Sequence, residues 1–292
     1  MNYVSRITVT ALITACAALA LGTTTAHAQK WPVRPVRLVI PFTPGGGSDT
    51  TARILGQKLS ENNAQTFIAD NRPGAGGNIA FDFVAITYIG EAPLLIVANN
   101  ALPARNIGDL IKLAKSHRGE VRFASSGMGS SSHLASEVMR MMAGVEMLHV
   151  PYKGGPQALQ DVIGGQLEFT SLPMSETLAQ VRAGRVRALG QTGIKRSPNA
   201  PEIPTLDESG LKGYTVMTWY VVFAPAKTPA AVVQRVHEEF DKALKLQDVQ
   251  DRLRAAGITE IVNGPPEVAA KFVQSEYQRW GKIIRQLNLK AN

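Results

Sequence analysis

The chain has 292 residues, with 31 Lys and Arg against 23 Asp and Glu, a net charge of +8 and one cysteine, Cys16. One cysteine excludes an internal disulfide and a thiolate metal centre, and the five histidines (His27, His117, His133, His149, His237) lack metal-ligand spacing, so neither metal nor cofactor is expected. The basic residues are scattered (Lys112, Lys115, Arg118, Arg140, Lys195, Arg196) and not interleaved with aromatics, which argues against a nucleic-acid partner.

Residues 1–28 read as an export signal. Arg6 is their only charge, apolar and small residues fill 7–21, and Ala26-His27-Ala28 fits a cleavage site. The apolar stretch is too short for a membrane anchor. Ile13-Thr14-Ala15-Cys16 resembles a lipobox, the minor alternative. Cleavage after Ala28 removes Cys16 and predicts a soluble protein with room for two modest domains or one large one.

Strand-like and helical runs then alternate, the pattern of an α/β fold with mostly parallel sheets. An apolar run at Val36, Leu38, Val39 and Ile40 predicts a strand. Pro44 and Gly45-Gly46-Gly47 break it; Ser48 and Asp49 are N-cap types, and Ala52, Leu55 and Leu59 follow at helical spacing. Residues 94–98 and 121–124 read as strands, with a helix over 107–114 between them. A serine-rich loop precedes a helix bearing Leu134, Val138, Met141 and Met142. His149 to Tyr152 ends a short strand, and a helix runs from the turn at 153–156 to Ile163. Residues 187–191 and 216–224 are further strands. Thr228-Pro229 predicts a cap and a first helical proline before Val232, Val233, Val236, Phe240, Ala243 and Leu244. A last helix starts near Pro265-Pro266 and carries Val268, Phe272, Trp280 and Ile283.

Three loops precede helices and share a chemistry. Strand, glycine turn and helix start at Thr43–Asp49 aim bare backbone N–H groups at a small anion. No phosphate-loop or dinucleotide fingerprint is present, so a small carboxylate fits better than a nucleotide. Asp49 at its mouth would repel an anion, and suits helix capping or accepting from a hydroxyl, ammonium or water. The second loop, SSGMGSSS at 125–132 with His133 beyond, offers five hydroxyls and two glycines, more than capping needs. A nucleophilic serine here, making an exported hydrolase, is the rival reading, although no G-x-S-x-G occurs. The third loop, YKGGP at 152–156, brings Lys153, which suits pairing with a carboxylate or lying solvated on a turn.

These loops in this order resemble the periplasmic solute-binding receptors of the tripartite tricarboxylate transporter family, the Bug receptors. The matching stretches are 31–49, 71–80, 123–139, 149–159, 163–169, 184–190, 203–214 and 223–229. The resemblance implies a two-lobed type II periplasmic-binding-protein fold, with lobe one at 29–98 plus 223–292 and lobe two at 99–222. Hinges would lie near Asn99 and Phe223. It implies a binding protein rather than an enzyme, acting as a monomer in the periplasm and delivering a small carboxylate to membrane transporter subunits. The ligand contacts would come from Phe42, Thr43, Gly46, Gly47, Ser48, Asp49, Ser125, Ser126, Gly127, Ser130, His133 and Lys153.

Two departures stand out. Asp82-Phe83-Val84-Ala85-Ile86-Thr87 follows Ala80 almost at once, an internal deletion in lobe one of about 35 residues against the family pattern; losing a strand opens a core and exposes unpaired edges. Such a lobe could leave a non-binding or regulatory remnant, the third reading. Leu172 also stands where many relatives carry an acidic residue facing ligand amino groups, which favours a plain carboxylate over an amino acid.

Overall fold

A computed structural model describes residues 31–73 and 83–287. The export signal at 1–28 and most of the matched stretch at 71–80 lie outside these residues. Within them, Arg34 onward belongs to one compact unit.

The elements run β1 (Val36–Ile40), α1 (Gly47–Asn62), β2 (Phe67–Asn71), β3 (Phe83–Ala98), α2 (Ile107–Ser116), β4 (Arg122–Ser125) and α3 (Ser131–Ala143). They continue with β5 (Leu148–Pro151), α4 (Gly155–Ile163), β6 (Phe169–Pro173), α5 (Met174–Arg182), β7 (Arg187–Gln191) and β8 (Met217–Pro225). The last four are α6 (Ala230–Leu244), α7 (Gln247–Ala255), β9 (Glu260–Gly264) and α8 (Pro266–Gln286).

β3 organises the molecule. Its last five residues alternate between two cores, as the two-residue period of a strand requires. Leu94, Ile96 and Ala98 join Phe123, Leu134, Met139, Phe169 and Tyr214. Leu95 and Val97 join Ala124, Leu159, Leu172 and Leu178 on the other face. Here β3 pairs with β6 and β7. From Phe83 to Pro93 it pairs instead with β8, and with β9 around Tyr88–Glu91. One strand thus changes partners at Pro93–Leu94.

The sheets are mixed rather than mostly parallel. β4 pairs parallel with β5 and β6, and β1 with β2, but all four partners of β3 are antiparallel. Helix starts differ in detail too. α1 begins at Gly47 with Gly46 as its cap, so Ser48 and Asp49 fall inside the first turn. Pro229 itself occupies the cap of α6. On α3, Leu134 and Val138 are buried, but Met141 and Met142 face outward. β2, β6, α5, α7 and β9 are elements that the sequence pattern did not announce.

β1 and β2 form a separate parallel ribbon. α1 covers one face, where Leu38, Ile40 and Phe67 point. On the other face Val39 and Ile68 are 54% and 43% exposed. Phe83 and Phe223, paired across β3 and β8 with ring centroids 6.3 Å apart, are also exposed. Parallel strands are ordinarily buried on both faces.

The contrast between strands is testable. Ile96→Ala should destabilise the fold by about 2–5 kcal/mol, because a fully buried side chain leaves a cavity between close-packed elements. Val39→Thr should change stability by less than about 0.5 kcal/mol. Urea unfolding measures both.

Candidate functional site

The first loop ends where α1 begins. Gly47, the first helical residue, donates its N–H to Glu176 Oε1 at 3.0 Å. Gly45 N–H goes to Asp49 Oδ2 at 2.9 Å, and Asp49 also accepts from Arg53. Burial raises the Asp49 pKa, but the hydrogen bonds from Arg53, Gly45 and Asn71 outweigh it and hold the carboxyl below its ordinary value. Asp49 is therefore an ionised residue that shapes the turn, one of its two expected roles. The Ser48 hydroxyl has no partner among the described residues.

The third loop meets the first. Gly154 and Gly155 lead into α4, and both are glycine for want of space. A Cβ on Gly154 would overlap Thr43 Oγ1, and one on Gly155 would overlap Glu176 Oε2. Pro156 lies against Gly45. Tyr220 on β8 closes another side, since a Cβ on Gly47 would stand 2.6 Å from its hydroxyl. Thr43 Oγ1 and Glu176 Oε2 are completely buried and have no hydrogen-bond partner. Burial pushes the Glu176 carboxyl up to about 7, against the single lowering bond from Gly47. Burial also raises the Tyr220 phenol, and Glu176 adds to the effect. Two helix N-termini, of 16-residue α1 and 9-residue α4, thus converge on one buried carboxyl.

The second loop spends most of its donors on itself. Ser130 caps α3, accepting from His133 N–H at 3.2 Å, and donates to Gly127 O at 2.7 Å. Ser125, fully buried, lies 2.6 Å from His149 Nε2, and its oxygen also accepts from Gly127 N–H. Ser132 accepts from Ser126 N–H, and Ser131 reaches Thr218 on β8 at 2.8 Å. His133 stacks on His149 at 3.9 Å, with Phe123 beneath. His133 Nδ1 accepts from Gly129 N–H, which requires a neutral ring. Burial lowers both histidines, His149 to about 3 with His133 adding to the effect. No hydrogen bond among the described residues joins this loop to the first.

Of the twelve residues expected at the site, Thr43, Gly46 and Gly47 stand together against Glu176 and the third loop. Phe42 is linked to them through Asn71, which donates to its carbonyl. Ser125, Gly127, Ser130 and His133 form a second, internally bonded cluster, and Ser126 is half-exposed beside it. Lys153 is exposed, without an ion pair among the described residues. Glu176, Tyr220, Gly154, Gly155 and His149 were not singled out. Glu176 lies four residues beyond Leu172, in a helix that the sequence pattern did not announce, so no local signal singled it out.

Two surface hollows, of about 320 and 260 Å³, lie elsewhere, around Arg118 and Arg140 and around Arg53 and Phe67. Both are open depressions, the first lined by Arg118, Arg140, Glu146 and Gln286, and neither includes a residue of the three loops. Among the described residues no His, Cys, Asp and Glu cluster could hold a metal, and no helix is long and apolar enough to cross a membrane.

Residues 80–289 match the sequence profile of the tripartite tricarboxylate transporter family receptor. A UPF0065 protein from the tcbD–tcbE intergenic region of a Pseudomonas species is 36% identical, with 94% of each chain covered. That alignment spans 315 positions, whereas 94% of 292 residues is about 274, so about 40 aligned positions have no residue of this chain. The profile match begins at residue 80, where the shortening was expected. Among solved structures, R. palustris Rpa4515 with adipate superposes with a TM-score of 0.84 at 30% identity, covering 88% of this chain and 98% of that one. The periplasmic binding protein BugD superposes with a TM-score of 0.83 at 28% identity, covering 89% and 99%. The α/β, two-lobed receptor fold is therefore the fold of this chain.

The histidine pair carries a pH signature. Folded His149 resists protonation down to about 3, while the unfolded ring titrates near 6.5. Its contribution to stability is present above 6.5 and is lost as pH falls towards 3. Thermal melting of the wild type should decline by several degrees across that acid range. His149→Gln should melt lower at neutral pH, with a flatter decline.

Proposed function

The chain belongs to the tripartite tricarboxylate transporter receptor family, and from that membership we propose that it is exported to the periplasm, captures a small organic carboxylate and hands it to the membrane subunits of a tripartite transporter. It would act as a monomer, by binding alone, with no cofactor. The observation that carries the carboxylate reading is the convergence of the α1 and α4 N-termini around Glu176, with the Thr43 hydroxyl buried and unspent against the third loop. A carboxylate supplies the acceptor that hydroxyl lacks. The adipate bound to Rpa4515 is of that chemical class.

Lobe one would comprise residues 29–98 and 223–292, and lobe two residues 99–222. The change of partners along β3 favours crossings at Pro93–Leu94 and Met217 over ones at Asn99 and Phe223. Ligand entry would part the first and third loops, which are in contact here and come from opposite sides of that crossing. The second loop would contribute through Ser126 and the exposed rim; Ser125 and Ser130 are committed to His149 and to the cap of α3. For the same reason the Ser125–His149 pair is poorly suited to hydrolysis, because the Ser125 hydroxyl is already spent on His149 and on the Gly127 backbone.

A panel of mono-, di- and tricarboxylates should include at least one that raises the melting temperature and changes Trp219 fluorescence. Thr43→Val should weaken that binding about tenfold to a hundredfold, the loss of one hydrogen bond to a charged group. No shift with any acid would leave a remnant without a ligand. Ester turnover abolished by Ser126→Ala and Ser130→Ala would replace the receptor with a hydrolase.

A further inference from the structure

We propose that Glu176 makes carboxylate capture proton-coupled: the ligand's carboxylate enters beside it, and a proton on Glu176 Oε2 becomes the hydrogen bond between them. This rests on the carboxylate-receptor reading above and names a specificity device within it.

Three features of the geometry converge. Glu176 Oε1 already holds Gly47 N–H, the first donor of α1, so the protein's own carboxyl occupies part of the anion cradle. Its other oxygen is buried and unpartnered, and the Thr43 hydroxyl nearby is buried and unpartnered as well. A buried polar group without a partner costs free energy comparable to a lost hydrogen bond, so each of the two atoms favours a partner. A carboxylate is that partner for Thr43 at once, and for Glu176 once its carboxyl carries a proton.

The charge balance decides against a second anion. No charged group on the elements packed against α5 neutralises Glu176. From α1 come Asp49 and Arg53, already paired with each other. β8 brings the Tyr220 phenol, held neutral by burial. β3 brings Glu91, bonded to Tyr88. The first turn of α4 and the whole of β6 bring no ionisable side chain. On α5 itself Arg182 lies at the far end and bonds to Asn199 O. Lys153 of the third loop is exposed. Two helix N-termini suit one negative charge, and a ligand carboxylate added to an ionised Glu176 makes two. Protonation of Glu176, which burial already brings to about 7, removes the conflict. An ammonium ligand fits less well, since it would sit against two positive helix ends.

If only the protonated form admits the ligand, its fraction scales the affinity. With titration at about 7, affinity should fall about tenfold from pH 6 to pH 8, with one proton taken up per ligand at the upper end. Isothermal titration calorimetry with adipate and malate, at both pH values in phosphate and in Tris, reads affinity and proton uptake in the wild type without any variant. Glu176→Gln should bind at pH 8 as the wild type does at pH 6, independent of pH and buffer. Wild-type binding without pH or buffer dependence overturns the proton coupling and leaves the receptor intact. A pH profile retained in Glu176→Gln does the same. Loss of acid binding in Glu176→Gln, with amino acids bound by the wild type, assigns Glu176 to an ammonium and also overturns it. No binding of any acid at either pH overturns this proposal together with the receptor reading.

Discussion

β3 sets the terms for everything around it. Sixteen residues pair with four antiparallel partners, and the last five feed two separate cores with alternate side chains. Each fully buried aliphatic there contributes about 1.5–3 kcal/mol from burial alone. A one-residue slip would exchange the two faces and bring Leu94 and Ile96 into the wrong core. The register is therefore fixed from both sides at once. That fixity places β6, and the helix α5 that follows it without a loop, against the first loop, and so it determines where Glu176 stands.

The placement has an electrostatic consequence. An acidic residue in the first turn of α5 is ordinary for a helix start, yet its carboxyl is bonded to another helix start, 129 positions away in the chain. The glycines at 154 and 155 permit that approach, because any side chain on them would overlap Thr43 or Glu176. Sterics, backbone dipoles and burial thus act on one carboxyl together. The second loop follows the opposite logic. Its serines and histidines satisfy one another within a buried cluster stacked on Phe123, so that cluster reads as architecture that holds a rim.

What was legible in the sequence follows from where the determinants are local. The strand at 36–40, the strand at 187–191 and the helix ending at Ile163 rest on short-range apolar spacing and glycine punctuation, and they stand where expected. The glycine turn was legible as an anion cradle because its chemistry is backbone chemistry. β2 and β9 escaped because their patterns are weak and their assignment rests on pairing with distant strands. Asp49 and Ser48 resembled caps, but the cap falls two residues before Ser48, at Gly46. Glu176 escaped for the same reason as β9: its neighbours come from residues 47, 155 and 220, and no local spacing encodes them.

The shortened lobe raises the question of what keeps the cradle in place when the β1–β2 ribbon is open on one face. The answer lies on α1 rather than on the ribbon. Its apolar side, Ile54, Leu55 and Leu59, is buried. Lys58 pairs with Asp248 of α7, Gln57 accepts from Arg252, and Asn63, which caps its end, bonds to the buried Glu239 of α6. Glu239 is ionised, since the hydrogen bonds and charges of Lys242, Asn63 and Arg235 outweigh the effect of burial. The C-terminal helices therefore hold one end of α1 while Glu176 and Pro173 hold the other. The open face of the ribbon leaves Val39 and Ile68 exposed, but none of these anchors rests on it. Loss of sheet area and loss of the site are thus separable in this fold, and the anion cradle belongs to the helices.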